Sequence, residues 1–529
     1  MSHAPLKRPA SADVLLALPL ASAFAFVFFL ALVALPAYDL GWQLRTGELI
    51  VQQGRVPMHD VFGWPTNGER WVVHEWLANV LFYLAYTRLG PLSLVIYKGV
   101  AAMIVAGLLL ARGWRRTGLF WPALGAMLLG AATLRPYTDV RPQMLTFALL
   151  AALMLALDEY RAGRLPWLPW GLPPLFLIWA NLHGGVVMGL GALALWIAGE
   201  GLGVLILRQS FPGLGRLALG AAAGALAGLI NPNHIWLYHY PFRVLSHPQV
   251  QDFILEWNSP NFHRDWARPL QMVIALTVVL GGLGRQRRLG DLLLAGAAIY
   301  ASLGGMRHMA LVAILAPPLL ADGASEMLRR AAQQAHLGPT PRWAHLLAAV
   351  TVSLTLMSQA WRVYPRTGQG WHAPPVSVQG WFDHVTGQSL FPRAAASILA
   401  QDPTPGRLFN DYAWGGYLIW RLYPRWQVFI DGRAEVYYHS SYDAQEDLHY
   451  ARNWRQHLDE WGIDTVLTAQ DGNLGRVIRA APGWKVTHVD DVALLARRVS
   501  RGGDLNDAPA SRRSAVRRLD AHRGAPTRR

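Results

Sequence analysis

The sequence contains no cysteine and few charged residues. Without a thiol among its 529 residues, the chain cannot form disulfide bonds, use a catalytic thiolate or bind zinc through cysteine. Asp, Glu, Lys and Arg together make up 15% of the residues, whereas a soluble globular protein carries about 25%. Because 53% of the residues are hydrophobic, the composition predicts an integral membrane protein.

Long apolar runs dominate the first 360 residues. A helix needs about 20 consecutive apolar residues to cross the hydrocarbon core of a bilayer. We predict a polytopic α-helical membrane protein with about eleven transmembrane helices, each from a window of about that length. The first run, residues 14–35, is longer than the core of a signal peptide, so we expect it to be retained. The predicted spans are centred on Ala23, Ala102, Ala126, Leu150, Leu175, Leu193, Ala222, Ala275, Leu294, Ile314 and Thr351.

The distribution of Lys and Arg orients these spans. Lys plus Arg exceed Asp plus Glu by 48 − 33 = 15. Much of the excess lies in short loops between predicted spans, namely 112–116, 161–164, 208–216, 285–288 and 329–342. Basic loops of this kind face the cytoplasm, so we predict a cytoplasmic N-terminus and an external position from about residue 361 onward. Since the positive charge follows topology, the expected partner is the lipid bilayer and not nucleic acid.

The composition changes after the last predicted span. Residues 361–405 are rich in Pro and Gly and are expected to be a linker, and the basic tail 501–529 is expected to be disordered. Between them, residues 406–500 alternate between short strand-like and helix-like patterns. Strands are expected at 407–410, 427–431, 465–468, 485–489 and 492–497, and helices at 412–422, 443–461 and 473–481. The alternation predicts a small α/β domain that closes with a hairpin at Asp490 and Asp491.

Polar residues are concentrated in the first predicted outer loop, residues 36–75. Asp39 directly follows the first span, and His74 and Glu75 lie at the end of the loop, among several Trp and Gly residues. A carboxylate at a membrane surface costs free energy unless it is paired or used. One interpretation is an interfacial anchor in which Asp39 pairs with Arg45, and the other is an active site.

Several motifs resemble those of the GT-C superfamily of membrane glycosyltransferases, and most closely a bacterial family of GT-C-like membrane proteins. The motifs are Asp39-x-x-Trp42-x-Leu-Arg-x-Gly47, Gly54-x-x-Pro57-x-x-Asp60, His74-Glu75-Trp76-Leu77, Arg141-Pro142-Gln143, Asn181-x-His183-Gly184-Gly185, Asn231-Pro232, Glu256-Trp257 and Arg307-His308. The superfamily includes protein O-mannosyltransferases, lipid A aminoarabinose transferases and oligosaccharyltransferases. The resemblance implies a GT-C-like fold in a bacterial inner membrane, an essential acidic residue in the first outer loop and a periplasmic C-terminal domain.

The resemblance also implies a reaction, the transfer of a sugar from a polyprenyl-phosphate donor to an acceptor outside the membrane. The phosphate is already a competent leaving group, so one carboxylate suffices to take the proton of the acceptor. Asp39 is the expected base, with Glu75 as the nearest rival. Charge-assisted donors at the outer helix ends would hold the donor phosphate. The candidates for that role are Arg141, His183, Arg307 and His308.

Acceptor and metal sites follow from the same resemblance. The segment that begins at Asn410 is similar to the Trp-Trp-Asp-Tyr-Gly motif of oligosaccharyltransferases, which helps to hold the acceptor, although the residue order differs. The candidate acceptor-binding residues are Asp411, Tyr412, Trp414, Asp431 and Arg433. Metal dependence stays open, because oligosaccharyltransferases use a divalent ion and several relatives do not. Ligands of the right type, without a diagnostic spacing, are His59, Asp60 and His74.

Two other classes of function are alternatives. A transporter or flippase of a lipid-linked saccharide would show internal repeats and polar residues near the middle of its helices. Here no clear repeat occurs, and the polar residues lie near the predicted helix ends. A non-catalytic scaffold with a periplasmic binding domain would tolerate substitution of Asp39, His74 and Glu75.

Overall fold

The computed structural model describes residues 10–245, 254–285, 288–336, 340–363, 377–437 and 440–499. The chain divides into two compact units. The first comprises Met1–Met58 and Val72–Ser389, and the second comprises His59–Trp71 and Leu390–Arg529. Part of the predicted first outer loop therefore folds with the C-terminal region. The predicted tail 501–529 lies outside the described residues.

Helices build the described part of the first unit. In chain order they are α1 Ala10–Ala31, α2 Leu40–Gln53, α3 Trp76–Leu89, α4 Leu92–Thr117, α5 Phe120–Leu134, α6 Gln143–Arg161, α7 Leu168–Leu182, α8 Val186–Ile206, α9 Leu214–Ala227, α10 Trp236–Leu245, α11 Arg268–Leu280, α12 Leu289–Gly304, α13 Met309–Leu315, α14 Pro317–Gln334, α15 Arg342–Val363 and α16 Val378–Val385. Short 3₁₀ helices cover Arg135–Tyr137, Leu255–Trp257, Asp265–Ala267 and Met306–His308.

Among the described residues, four helices are long and apolar enough to cross a membrane, namely α4, α6, α8 and α15. A fifth span results if Met306–Leu315 and α14, which meet at a bend of 44°, are counted together. The prediction of about eleven spans is therefore wrong in number, although the apolar helices agree with a membrane protein. Some of the apolar windows of about 20 residues that the prediction used include residues beyond the end of a helix. The helices α5 and α7, for example, have only 15 residues each. A helix of that length covers about 22 Å, less than the ~30 Å of hydrocarbon.

α4 shows the two apolar faces of a membrane helix. One face packs against α5 and α6 and buries small and medium side chains, among them Ala101, Val105 and Leu109. The opposite face exposes apolar side chains one helical turn apart, namely Leu92, Ile96, Val100 and Ile104. A surface helix of a soluble protein would carry polar residues on that face. The exposed stripe therefore indicates contact with lipid.

The predicted first outer loop contains a helix, α2, which sequence analysis missed. α2 begins after Asp39 and ends at Gly54, whose left-handed backbone (φ 67°) lets its N–H donate to the carbonyl of Ile50. A methyl group on Gly47 would clash with the carbonyl oxygen of Asn79 in α3, so the two helices pack closely at this point. The Trp, Gly and charged residues of this segment concealed its helical period. The predicted linker 361–405 likewise contains helices in its described part.

The second unit is an α/β fold around a four-stranded sheet. Its strands are β1 Leu408–Asn410, β2 Thr465–Ala469, β3 Trp484–Val489 and β4 Ala493–Arg498. Its helices are α17 Arg393–Gln401, α18 Gly415–Leu422, α19 Ala434–Tyr437, α20 Tyr442–His449, α21 Trp454–Glu460 and α22 Asn473–Arg479. The strand order is β1-β2-β4-β3, in which β1 and β2 are parallel and the other two pairs are antiparallel.

The sequence predicts this unit in part. The hairpin between β3 and β4 is confirmed, and one Asp490 oxygen accepts the backbone N–H groups of Val492 and Ala493 at 2.9 and 2.8 Å. The strand expected at 427–431 is wrong, because Val428 pairs only with the loop around Gly63 in an isolated bridge. The helix expected at 443–461 is divided into α20 and α21, which are separated by residues with positive φ.

Candidate active site

The charged and imidazole candidates of the first unit lie at the ends of its helices. Asp39 precedes α2, Glu75 precedes α3, and His183 directly follows α7. The loop before α6 carries Arg141, and the 3₁₀ helix Met306–His308 carries Arg307 and His308. The structure brings these side chains into two adjoining groups.

Arg141 is the centre of the first group, called here the arginine cluster. Its Nε lies 3.1 Å from Asp39 Oδ2 and 2.9 Å from Asp139 Oδ2. Its Nη1 donates to Glu256 Oε1 at 3.2 Å. One guanidinium thus holds three carboxylates that come from distant parts of the chain. The interfacial pair expected between Asp39 and Arg45 is replaced by this arrangement, and Arg45 pairs with Glu48 instead.

Neighbouring side chains fix the orientation of the arginine cluster. The indole N–H of Trp42 donates to Asp39 Oδ1 at 3.1 Å, and Gln143 Nε2 donates to Asp139 Oδ1 at 2.8 Å. The hydroxyl of Tyr97 donates to the backbone carbonyl of Arg141 at 2.9 Å. Asp39 and Asp139 therefore each have one oxygen directed at Arg141 and the other held by a second donor.

The electrostatics of the cluster differ from one carboxylate to the next. Burial raises the pKa of Asp139 above its ordinary value, although Arg141 acts against that effect. Burial alone would also raise the pKa of Glu256, but Arg141 and Arg307 outweigh it and lower that pKa. Arg307 therefore acts on the cluster as a second cation.

The second group, called here the histidine group, consists of His74, Glu75 and His183. Glu75 Oε2 lies 3.7 Å from both His74 Nδ1 and His183 Nε2, and its Oε1 accepts a hydrogen bond from Gln43 Nε2 at 2.8 Å. The Glu75 side chain is only 4% exposed. One ligand-type atom from each member lies within 4.8 Å of the others, so the group has the composition of a metal site.

The hydrogen bonds of His183 decide how well the group suits a metal ion. The backbone N–H of Gly185 donates to His183 Nδ1 at 2.9 Å, so this network assigns the proton of the neutral ring to Nε2, which faces Glu75. Burial, followed by the charge of His74, holds the pKa of His183 well below its ordinary value, and the ring stays neutral. A histidine that binds a metal normally donates from its other nitrogen. The residue types of the histidine group therefore suit a metal ion, but the proton on His183 Nε2 occupies the position from which this ring would bind it.

Arg307 lies beside both groups. Its guanidinium stacks on the ring of Trp257, 4.2 Å from the ring centre. Its charge lowers the pKa values of Glu256 and His183. It also acts on His74, whose pKa is lowered to about 4 by burial and by Arg307. The adjacent His308, by contrast, is turned toward α12, where its Nδ1 lies 3.2 Å from the carbonyl oxygen of Ala301.

The remaining metal and acceptor candidates belong to the second unit. His59 is exposed, whereas Asp60 is buried and paired with Arg433, whose Nη1 lies 2.7 Å from Asp60 Oδ1. The other edge of this guanidinium binds Asp431, with Nη2 2.6 Å from Oδ2. Asp60, Asp431 and Arg433 form a buried ion network that joins the segment His59–Trp71 to the rest of the unit, and none of the three is open to a ligand.

The acceptor candidates around β1 are also engaged within the second unit. Asp411 accepts hydrogen bonds from the backbone N–H of Ala469 at 2.7 Å and the hydroxyl of Thr468 at 3.1 Å, and burial raises its pKa. The Tyr412 hydroxyl donates to the carbonyl of Gly432 at 3.3 Å, and the Trp414 indole donates to the carbonyl of Leu390 at 3.1 Å. These contacts stabilise the fold of the unit. The acceptor-binding role of these residues stays a prediction.

Sequence reasoning missed several residues of the two groups. Asp139 could have been noticed because it lies two positions before Arg141 in the same predicted outer loop. Gln43 follows Asp39 by one helical turn, a spacing that carries meaning only once α2 is known to be a helix. Glu256 was part of a motif, but nothing local in the sequence indicates its partner.

Solved structures with the same fold are known, although no protein-family model and no curated protein matches the chain. The archaeal oligosaccharyltransferase AglB from Archaeoglobus fulgidus, in complex with an inhibitory peptide and a dolichol-phosphate, is 11% identical with a TM-score of 0.54, covering 87% of this chain and 70% of that chain. ArnT from Cupriavidus metallidurans is 15% identical with a TM-score of 0.52, covering 93% and 99%. Its complex with undecaprenyl phosphate gives a TM-score of 0.50 over the same shares, at 15% identity. The chain shares its fold with these two proteins, in agreement with the fold that its motifs predict.

Proposed function

We propose that this chain is a membrane glycosyltransferase that moves a sugar from a polyprenyl-phosphate donor to an acceptor on the periplasmic face of a bacterial inner membrane. The observation that carries the proposal is the convergence of the arginine cluster and the histidine group at helix ends of a chain with the GT-C fold. Two structures with this fold contain a lipid phosphate, dolichol-phosphate in one and undecaprenyl phosphate in the other.

Asp39 is proposed as the general base. Its side chain is 18% exposed, against 4% for Glu75, so an acceptor reaches Asp39 more readily. The acceptor atom attacks the anomeric carbon, the bond from that carbon to the phosphate oxygen breaks, and the phosphate leaves with the bonding electrons. The proton of the acceptor passes to Asp39. Arg141 and the Trp42 indole hold this carboxylate in place, and Arg141 is thus a positioning residue.

The donor phosphate is proposed to bind to Arg307 and to the Nε2–H of His183. Within the described part of the chain, no carboxylate oxygen lies within 4 Å of the Arg307 nitrogens, so this guanidinium can donate hydrogen bonds to a phosphate. The neutral His183 presents a fixed N–H donor next to it, and Glu75 orients that ring. Arg141 and His308 complete the predicted donor set, but the structure gives each of them another partner.

The test is transfer of labelled sugar from polyprenyl-phosphate donors by the full-length protein in proteoliposomes. Asp39→Asn should lower the rate at least about 100-fold, the scale of general-base catalysis. Asp265→Asn is the matched control, because Asp265 lies in the same unit with an 86% exposed side chain. Melting temperatures should show that both variants stay folded.

The outcomes separate the three classes of function. Full activity of Asp39→Asn would remove Asp39 from the mechanism. A wild-type protein that moves the lipid-linked sugar between leaflets without transferring it would favour the transporter. A protein that does neither, and whose periplasmic unit still binds a partner when Asp39 is replaced, would favour the scaffold.

A further inference from the structure

A second collection of charged side chains lies at the opposite ends of α4 and α6. The hydroxyl of Tyr97 in α4 contacts Arg141, and 15 residues later the same helix reaches Arg112. At 1.5 Å per residue, this separation is about 22 Å along the helix. The collection, called here the arginine cavity, is lined by Asp158, Glu159 and five arginines, namely Arg112, Arg115, Arg116, Arg164 and Arg288.

Buried ion pairs form the inner wall of the cavity. Asp158 Oδ2 accepts from Arg112 Nε at 2.9 Å, and Asp158 Oδ1 accepts from Arg288 Nη1 at 2.6 Å. Behind this wall, Asp291 accepts from Arg112 at 2.7 Å and from Arg116 at 2.8 Å. Buried charges persist only when they are paired, so this network is a rigid base for whatever occupies the cavity.

The outer rim is more open than the inner wall. Arg115 and Arg164 share a single carboxylate, Glu159, at 3.1 and 2.6 Å. Their side chains are 58% and 55% exposed. The cavity has a volume of about 70 Å³, whereas roughly 10–15 Å³ is enough to hold one water molecule. A tetrahedral oxyanion therefore fits between the wall and the rim.

The charges around the cavity do not balance. Five arginines line it together with Asp158 and Glu159, and two further carboxylates, Asp291 and Asp322, act on Arg116, so these groups carry a net charge of 5 − 4 = +1. An anion with several oxygen acceptors complements this positive charge and the exposed guanidinium groups of Arg115 and Arg164.

The exposed stripe of α4 indicates where this anion comes from. The stripe begins at Leu92 and runs through Ile96, Val100 and Ile104, and Arg115 follows on the same face. From Leu92 to Arg115 the helix rises about 35 Å, which is the ~30 Å hydrocarbon core plus the start of the headgroup layer. Arg115 therefore lies at the level of lipid phosphates, at the end of a surface that contacts acyl chains.

We propose that the arginine cavity binds the phosphate group of an anionic membrane lipid, with Arg115 and Arg164 as its outer donors. Basic pockets between membrane helices are suited to anionic headgroups. The bound phosphate neutralises the surplus charge, and the acyl chains lie along the exposed stripe. This site is separate from the proposed donor site. One end of α4 and α6 lies at the arginine cluster, and the other end of the same two helices lies at the arginine cavity.

The experiment measures lipid binding to the full-length protein in detergent, by native mass spectrometry and by the shift in melting temperature. Phosphatidylglycerol should stabilise the protein more than phosphatidylcholine does. Arg115→Gln and Arg164→Gln should each weaken phosphatidylglycerol binding about tenfold, the scale of one lost charge-assisted hydrogen bond. Arg330→Gln is the matched control, because Arg330 is 53% exposed and its guanidinium pairs with Glu326 outside the cavity.

Each outcome decides the proposal. Weaker binding in the two cavity variants, with unchanged binding in the control and unchanged melting temperature without lipid, would support it. Equal stabilisation by the two lipids, or equal loss in all three variants, would overturn it. Inorganic phosphate serves as a separate arm, and if phosphate alone reproduced the whole stabilisation, a lipid source would be excluded.

Discussion

Replacing Arg433 with Met tests whether a buried ion network holds the second unit together. The guanidinium lies 2.7 Å from Asp60 and 2.6 Å from Asp431, and it stacks over Trp71 at 4.4 Å from the ring centre. Both carboxylates and the guanidinium are completely buried. Met keeps much of the apolar stem, but it leaves the two carboxylates close together without a cation.

The expected loss is large for a single substitution. Removing one partner of a buried pair costs about 3–5 kcal/mol, because the remaining charge is left uncompensated in a medium of low dielectric constant. Here two charges are left, and the Tyr437 hydroxyl that also donates to Asp431 at 2.5 Å is neutral and cannot replace the cation. For a unit of this size, about 2–4 °C of melting temperature corresponds to 1 kcal/mol, so the shift should be roughly 6–20 °C.

The assay is proteolysis of the full-length protein in detergent after brief heating to graded temperatures, with an antibody to the C-terminal region as the readout. Arg452→Met is the matched control, because Arg452 is half exposed in its pairs with Glu446 and Asp447, and it should melt like the wild type. The double variant Asp60→Asn/Arg433→Met should recover part of the loss. If Arg433→Met melts with the wild type, the reasoning about the buried network is refuted.

Four further predictions concern the first unit. Arg141→Gln should lower sugar transfer in proteoliposomes about 100-fold, because the proposed base loses its positioning contact; transfer at the wild-type rate would contradict the positioning role. Gly47→Ala should destabilise the protein by about 1–3 kcal/mol in thermal unfolding, since the added methyl group has no room against α3. Gly191→Ala, at a position with open space, should not destabilise it. Between pH 6.5 and about 4 the unfolded chain protonates His74 and the folded chain does not, so this residue should lower the stability by on the order of 3 kcal/mol as the pH falls. His74→Gln should remove that part of the pH dependence and leave the part that comes from His183, whose pKa is also lowered. Transfer should survive EDTA, because one imidazole of the histidine group carries its proton where a metal would bind; activity lost to EDTA and restored by Mn²⁺ would show the opposite.

Local patterns in the sequence predict some of the fold correctly. The β3–β4 hairpin depends on two neighbouring strands and a turn in which the carboxylate of Asp490 accepts backbone N–H groups, and all these signals lie within about 15 residues. The strand expected at 427–431 fails for the opposite reason. Val428 and Ile430 are fully buried and apolar, but their backbone partners come from elsewhere in the chain, and an apolar run alone does not determine a strand.

The candidate site could be predicted only in its parts. Asp39 and Arg141 each stood out as charged residues next to apolar runs, but their contact depends on how α2 packs and where the loop before α6 ends. Glu256, the third carboxylate on Arg141, is 115 residues away along the chain. Periodicity and propensity carry no information about contacts of that range, and the motif that contains Glu256 does not indicate its partner.

The second unit is built from two separate stretches of the chain, and this has a genetic consequence. Because Asp60 and Trp71 pack inside it, removing the gene segment for residues 390–529 would leave an acidic and an aromatic side chain of the remaining protein without their buried surroundings. The C-terminal region is therefore not a module that a single recombination event could exchange between proteins. Conversely, the fragments 1–389 and 390–529, expressed from two genes, should reassemble without a covalent connection, since the contacts of Arg433 join them.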